Sequence, residues 1–387
     1  MFNIRTMNAI APRGTDYLAA RGCRVSADIA APDALLIRSA DLHGTDFNRE
    51  LLCIARAGAG VNNIPIEECA EKGIVVFNTP GANADSVKEM AVCALLLASR
   101  DVLGGLEWVQ TLAGQGEAIP KLVEKGKNNF IGPEISGKSL GVIGLGAVGA
   151  RVANAAVKMD MDVYGYDPYL SVDAAWSLSS KVQHVTDMDA IFRSCDYISI
   201  HVPYLPSTHH TINAAAIERM KPGVRVLNLA RAELVDEEAM VAALRSGKVA
   251  RYVTDFPNQI TVGVKNVVAL PHLSASTPEA EEKCAVMGAK EIYDYLQNGN
   301  ISNSVNLPNA SLDRLGESRL CILHKNQPKM LNQFLEIIAE HNINVEHMMN
   351  KARGEYAYTI FDTGTRLDDS IRQRILAVDG VNRVRLI

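Results

Sequence analysis

Gly144-Leu145-Gly146-Ala147-Val148-Gly149 is the stretch that decides the fold. A glycine-rich turn alone is a weak signal. Here an apolar run over 140–143 precedes it, and a helical pattern over 148–158 begins inside it. A second apolar run then ends in Asp167, 23 positions after Gly144. Strand, turn, helix, strand and acid in this order form the dinucleotide-binding fingerprint. Gly144 allows the tight turn, Gly146 lets a diphosphate approach the backbone, and Gly149 lets the helix pack on the strand. The helix start offers free N–H groups and a partial charge of roughly +0.5 to that anion. Asp167 suits ribose hydroxyls and repels a 2′-phosphate, and Pro168 and Tyr169 follow it rather than Arg. The expected cofactor is therefore NAD rather than NADP.

Outward from this turn the alternation continues. Strands are expected at 139–143, 162–166, 197–202, 224–229, 250–253 and 266–270, with helices between them, notably 236–246. Upstream, 34–37, 51–57 and 74–77 read as buried strands and 65–71 as a helix. Such repetition argues for parallel sheets covered on both faces. Ser86 and Glu89 have capping-box spacing ahead of a helix at 87–100. Segment 101–132 reads as a connecting helix and loop, and 278–296 as a long helix returning to the first domain. After a polar linker at 311–318, strands at 319–324, 356–361 and 381–387 and helices at 330–341 and 370–377 suggest a β-α-β-β-α-β module. The expected fold class is α/β: two doubly wound parallel-sheet (Rossmann-like) domains plus a C-terminal α+β ferredoxin-like domain. The expected boundaries are 1–100 with 275–310 for a substrate-binding domain, 101–274 for the NAD-binding domain and 319–387 for the C-terminal domain.

Composition narrows the function. Hydrophobic residues at 48% and charged residues at 21% of 387 exclude wholesale disorder. A net charge of -5 gives no reason to expect nucleic acid as a partner. The longest apolar run, 90–98, is too short to cross a bilayer, and the N-terminus lacks a signal-peptide pattern. The 7 cysteines form no C-x-x-C pair, so neither a disulfide framework nor a metal site is expected, and free thiols fit a cytoplasmic location.

In open α/β sheets, ligands bind beyond the carboxyl ends of the strands. Four expected strands end there in His201, Arg231, Asp255 and Pro271-His272. Oxidising a hydroxy acid needs a base for the hydroxyl proton, and histidine titrates in the right range. A carboxylate substrate needs a planar, permanently charged fork, which arginine supplies and lysine does not. His272 and Arg231 fit these roles, and Asp255 could tune the site.

The set GAGVNNI (58–64), NTPGANADSVKEMA (78–91), GLGAVG (144–149), HVPYLPST (201–208), LNLARAELVDE (227–237), TDFP (254–257) and PHLSAST (271–277) resembles the D-isomer-specific 2-hydroxyacid dehydrogenases over essentially the whole chain. Within them it is most similar to the members that oxidise 3-phosphoglycerate. The resemblance implies NAD-dependent oxidation of 3-phospho-D-glycerate to 3-phosphohydroxypyruvate, the entry to serine synthesis, by a homodimer or homotetramer. It implies Arg231 on the substrate carboxylate and His272 as acid/base. It implies a cofactor set of Gly144, Gly146, Ala147, Val148, Gly149, Asp167, His201, Val202, Pro203, Thr208, Ala230, Arg231, Asp255, His272 and Ser274. The substrate side would be Arg38, Ser39, Gly60, Val61, Asn62 and Asn83.

Two departures stand out. Family members pair the histidine with a Glu, and here Gln259 stands at that place, so Gln259 or Asp255 is expected to replace it. Ala232-Glu233 and Ser274 replace usual glycines. Residues 319–387 resemble an ACT domain, a small-molecule sensor, with His324, Asn326 and Asn344 at the positions expected to bind an L-serine effector.

Overall fold

The computed structural model describes the backbone of residues 1–387 and every side chain but that of Asp173. It forms two compact units, Met1–Asn83 with Pro278–Ile387, and Ala84–Thr277.

The first unit holds a five-stranded sheet of β1 (Asn3–Met7), β2 (Arg24–Ser26), β3 (Ala34–Ile37), β4 (Cys53–Arg56) and β5 (Val75–Asn78), in the order β2-β1-β3-β4-β5. All pairs are parallel. β3 is buried along its whole length, as a strand covered on both faces must be. The helix Pro278–Asn298 returns to this unit as expected and packs on the helix Pro12–Ala19. A Cβ at Gly14 would lie 2.7 Å from the Ala285 carbonyl oxygen, so glycine there sets how closely the two helices approach.

The second unit carries a seven-stranded parallel sheet: β6 (Ser139–Ile143), β7 (Asp162–Tyr166), β8 (Gln183–His184), β9 (Tyr197–Ile200), β10 (Val224–Asn228), β11 (Val249–Thr254) and β12 (Val267–Ala269). Its order is β12-β11-β10-β9-β6-β7-β8, reversing direction at β6. The helix Ala84–Ser99 belongs here, not with residues 1–83 as expected. Its apolar face (Val87, Ala91, Ala94, Leu95) shares a core with Leu140, Val142 and Val152. It starts at Ala84, so Ser86 lies inside the first turn rather than capping it, and its Oγ sits 2.7 Å from Thr277 Oγ1. The expected connector at 101–132 contains two helices, Val102–Gln110 and Ile119–Gly126.

A Cβ at Gly149 would run into the Gly144 carbonyl oxygen. Gly149→Ala is expected to cost about 1–3 kcal/mol through overpacking of backbone that cannot step aside, read as a lowered urea midpoint at unchanged slope.

The third sheet comprises β13 (Ser318–Lys325), β14 (Val345–Arg353), β15 (Tyr356–Thr363) and β16 (Val381–Leu386), antiparallel in the order β14-β15-β13-β16. This is the ferredoxin-like pattern, with Met330–Glu340 and Asp369–Leu376 as its helices. The module is not set apart by the expected linker. Cys321, Leu323, Tyr358 and Ile360 share one core with Ile4, Phe77, Ile292 and Tyr295. Arg383 donates to the carbonyls of Leu51, Arg49 and Lys72, and Arg385 to those of Tyr295 and Leu296. The fully buried Arg319 pairs with Asp362 at 2.6 Å and also holds the carbonyls of Leu312 and Asp313 in the connecting segment. No described helix is long and apolar enough to cross a membrane.

Candidate active site

In the second unit, the carboxyl end of β6 runs into the glycine turn. Gly144 has φ +89° and donates its N–H to the Tyr166 carbonyl at 2.8 Å. The helix Ala147–Lys158 then begins, and its first internal bond runs from Ala150 N–H to the Gly146 carbonyl. The N–H groups of Ala147, Val148 and Gly149 thus stand at the helix mouth. A Cβ on Gly146 would meet nothing within 4 Å, so this side of the turn is open to a ligand. Asp167 accepts from Leu145 N–H and Tyr169 N–H, each at 2.9 Å. Those bonds fix its carboxylate beside the turn and leave further lone pairs for ribose hydroxyls. The turn, the helix mouth and the acid fit a dinucleotide.

At the end of β9, the His201 imidazole turns to Ser199, with Nε2 2.8 Å from Oγ. Burial pulls this ring down to about 4, so it is neutral at physiological pH. The expected cofactor contact is therefore not offered by a charged imidazole. As pH falls from 6.5 towards 4, the unfolded chain takes up a proton that folded His201 refuses. Stability is expected to fall through that window. Urea unfolding of a His201→Gln variant between pH 7 and 4.5 should lack this component. Beyond Val202 and Pro203, the Thr208 hydroxyl accepts from Leu205 N–H and donates to the Pro203 carbonyl, both at 2.8 Å, closing its own loop.

Arg231 follows β10 on a segment pinned by fully buried Asn228. The Asn228 amide accepts from Ala230 N–H at 3.2 Å and donates to the Arg231 carbonyl at 2.8 Å. The guanidinium donates to the Ala230 carbonyl at 2.6 Å, and no acidic group among the described residues pairs with it. It is thus available to an anion.

Asp255, at the end of β11, is buried. Its two oxygens accept from Leu273 N–H at 2.7 Å and Ser274 N–H at 2.9 Å. This clamps the turn in which His272 holds φ +54° with its ring exposed, edge-on to Phe256 at 5.1 Å. Gln259 lies exposed in a turn. Among the described residues no hydrogen bond joins the imidazole to Asp255 or Gln259, the two expected substitutes for the missing Glu, and both Asp255 oxygens are engaged by backbone N–H groups. The Ser274 hydroxyl is buried without a partner. The sequence reading also missed Glu237, a buried carboxyl pushed up by burial, which accepts from the Asn258 side chain.

In the first unit, Arg38 is paired with Glu281 at 2.6 Å. Ser39 N–H and Ala40 N–H donate to Asn8 at 3.1 and 2.6 Å, and Arg56 Nε to the Arg38 carbonyl at 3.1 Å. Gly60, Val61 and Asn62 lie in the next loop, closed by Ile64 N–H to the Val61 carbonyl at 3.0 Å, and Asn83 is partly exposed. Asn8 and Arg56 carried no sequence signal of their own. They act through contacts between distant segments.

In the C-terminal module, His324 is 2% exposed and both ring nitrogens are engaged, with the Lys325 carbonyl at 2.8 Å and Thr359 Oγ1 at 2.9 Å. Both ring nitrogens are thus held by protein groups and brace the sheet. Asn326 donates to the Gly354 carbonyl at 3.2 Å, and Asn344 is exposed.

Residues 93–274 match the family model of the D-isomer-specific 2-hydroxyacid dehydrogenase NAD-binding domain. The chain is 31% identical over 350 residues to D-3-phosphoglycerate dehydrogenase of Haemophilus influenzae, covering 87% of this chain and 82% of the relative. The chain belongs to the D-isomer-specific 2-hydroxyacid dehydrogenase family. It is also 37% identical over 276 residues to hydroxypyruvate reductase of Thermotoga maritima, covering 68% of this chain and 85% of that one. It spans about half the length of other curated relatives that it matches, D-3-phosphoglycerate dehydrogenases too. Among solved structures, NAD+-bound 3-phosphoglycerate dehydrogenase of Entamoeba histolytica shares the fold, with a TM-score of 0.61 and 24% identity over 79% of this chain and 98% of that one. In this dehydrogenase family member, NAD is the cofactor of the second unit.

Proposed function

We propose that the chain oxidises 3-phospho-D-glycerate to 3-phosphohydroxypyruvate with NAD, in the cytoplasm, as the first step of serine synthesis. One observation carries the reading: a single sheet edge presents an open glycine turn, a guanidinium with no acidic partner among the described residues and a clamped histidine. Arg231 binds the substrate carboxylate through paired N–H donors and draws electron density from the adjoining carbon. His272 takes the hydroxyl proton at an imidazole nitrogen. Bound NAD supplies the hydride acceptor. The glycine turn and helix mouth hold its diphosphate, and Asp167 its ribose. Asp255 is a positioning residue that fixes His272. Arg38, Ser39, Gly60, Val61, Asn62 and Asn83 form the substrate loops.

A second reading is the same chemistry on another D-2-hydroxy acid. The Arg38–Glu281 pair favours it, since an arginine tied to a carboxylate is poorly placed for a phosphate, and so does the likeness to a hydroxypyruvate reductase. Initial rates of NADH formation on 3-phosphoglycerate, D-glycerate and D-lactate separate the two. The same assay with L-serine tests the C-terminal module as an effector site, where Asn326 and Asn344 remain the candidate contacts. Equal rates with and without serine remove that role.

A further inference from the structure

Glu291 has no part in the chemistry above, yet its carboxyl is buried on the helix Pro278–Asn298. Oε1 accepts from the Asn303 amide at 2.7 Å, and Oε2 is buried without a partner. Burial pushes this carboxyl up to about 8, so it is protonated and neutral at pH 7. Asn303 holds φ +56°, in the left-handed region, and its carbonyl accepts from Asn78 N–H at 3.3 Å. Asn78 ends β5, and its side chain donates to the Ala59 carbonyl at 2.7 Å. Thr79 N–H adds a bond to the Gly58 carbonyl at 3.1 Å. The next residue, Ser304, bridges to Phe77, and its carbonyl accepts from Arg353 Nη1 at 2.8 Å. Arg353 is the last residue of β14, in the C-terminal module.

A continuous hydrogen-bonded path therefore runs from two side chains, one buried and one on the third sheet, through residues 303–304 to the loop at 58–62. We propose that Glu291 and Arg353 are positioning residues for the substrate loops, acting through Asn303 and Ser304. The C-terminal module thereby helps to hold the shape of the loop that receives the substrate. This rests on the reading of Gly60, Val61 and Asn62 as substrate contacts, on the loop that Gly58 and Ala59 begin. The path reaches that loop and not the glycine turn, so its loss alters substrate affinity and leaves cofactor affinity alone.

The test is steady-state kinetics by NADH absorbance on whichever of 3-phosphoglycerate, D-glycerate or D-lactate the wild type turns over, with a thermal melt of each variant. Glu291→Ala should raise KM for the acid about five- to tenfold, the scale of one lost hydrogen bond, with kcat and KM for NAD within twofold. Glu291→Gln keeps an acceptor oxygen with the shape of the neutral acid and should restore KM to within twofold of wild type. Arg353 is exposed, so Arg353→Ala keeps the fold, and it should raise KM about two- to fivefold. Unchanged KM in both alanine variants overturns the proposal. So does a Gln variant as impaired as the Ala variant, or an equal loss in kcat and NAD affinity. A wild type inactive on all these acids defeats the substrate reading first, and the proposal falls with it.

Discussion

Replacing Arg231 by alanine should lower kcat/KM for the preferred 2-hydroxy acid by roughly 30- to 4000-fold, with KM for NAD little changed. The range follows from about 2–5 kcal/mol for truncating one partner of a hydrogen-bonded charge pair. The upper half is favoured by the setting of this guanidinium. No acidic neighbour among the described residues competes for it, and the Ala230 carbonyl takes one of its N–H groups at 2.6 Å. The backbone that carries it is held on both sides by buried Asn228. The fork thus meets the substrate already aligned, so little ordering entropy is spent on binding. Arg231→Lys keeps the charge and loses the fork, and should fall between wild type and alanine. An alanine variant within threefold of wild type on 3-phosphoglycerate, D-glycerate and D-lactate alike would remove Arg231 from the site.

The sheets were legible wherever a strand is buried on both faces. β3, β6 and β9 read as apolar runs because both faces are covered. β1 escaped because Arg5 and Thr6 interrupt it, and β14 because nearly all of its residues, from Glu346 to Arg353, are exposed. β14 forms by pairing along the length of β15, an interaction between segments that no local pattern announces. Ser86 and Glu89 show the opposite failure, a correct local signature overridden when the helix begins three residues earlier than expected. In the site, positions were legible and partners were not. Topology alone puts residues 201, 231, 255 and 272 at strand ends. That Asp255 binds the N–H groups of 273–274 and Arg38 binds Glu281 depends on where distant segments of the chain meet. The C-terminal module was legible as a fold, and was expected to stand behind a linker that the structure instead ties down. The arginines that hold it to the rest of the first unit donate to backbone carbonyls, acceptors that every segment of sequence offers alike.

Replacing His272 by asparagine should lower kcat by about 10²–10⁴-fold, the usual worth of a positioned acid/base. The loss should fall on kcat more than on KM, because the proton is transferred only as the hydroxyl reacts. Asparagine suits the experiment because it tolerates the left-handed backbone at φ +54° that this turn imposes. The variant therefore removes the imidazole without straining the loop. The clamp provides an internal comparison. In Asp255→Asn, one amide oxygen must serve the Leu273 and Ser274 N–H groups that two carboxylate oxygens now share. The histidine remains but its turn loosens, so the loss should be smaller than in His272→Asn. In the double variant it should add little, since Asp255 acts only through the ring it positions. Additive losses in the double variant would mean that Asp255 touches the reacting groups directly. A His272→Asn variant that keeps a tenth of the wild-type kcat would place the proton acceptor elsewhere on this sheet edge.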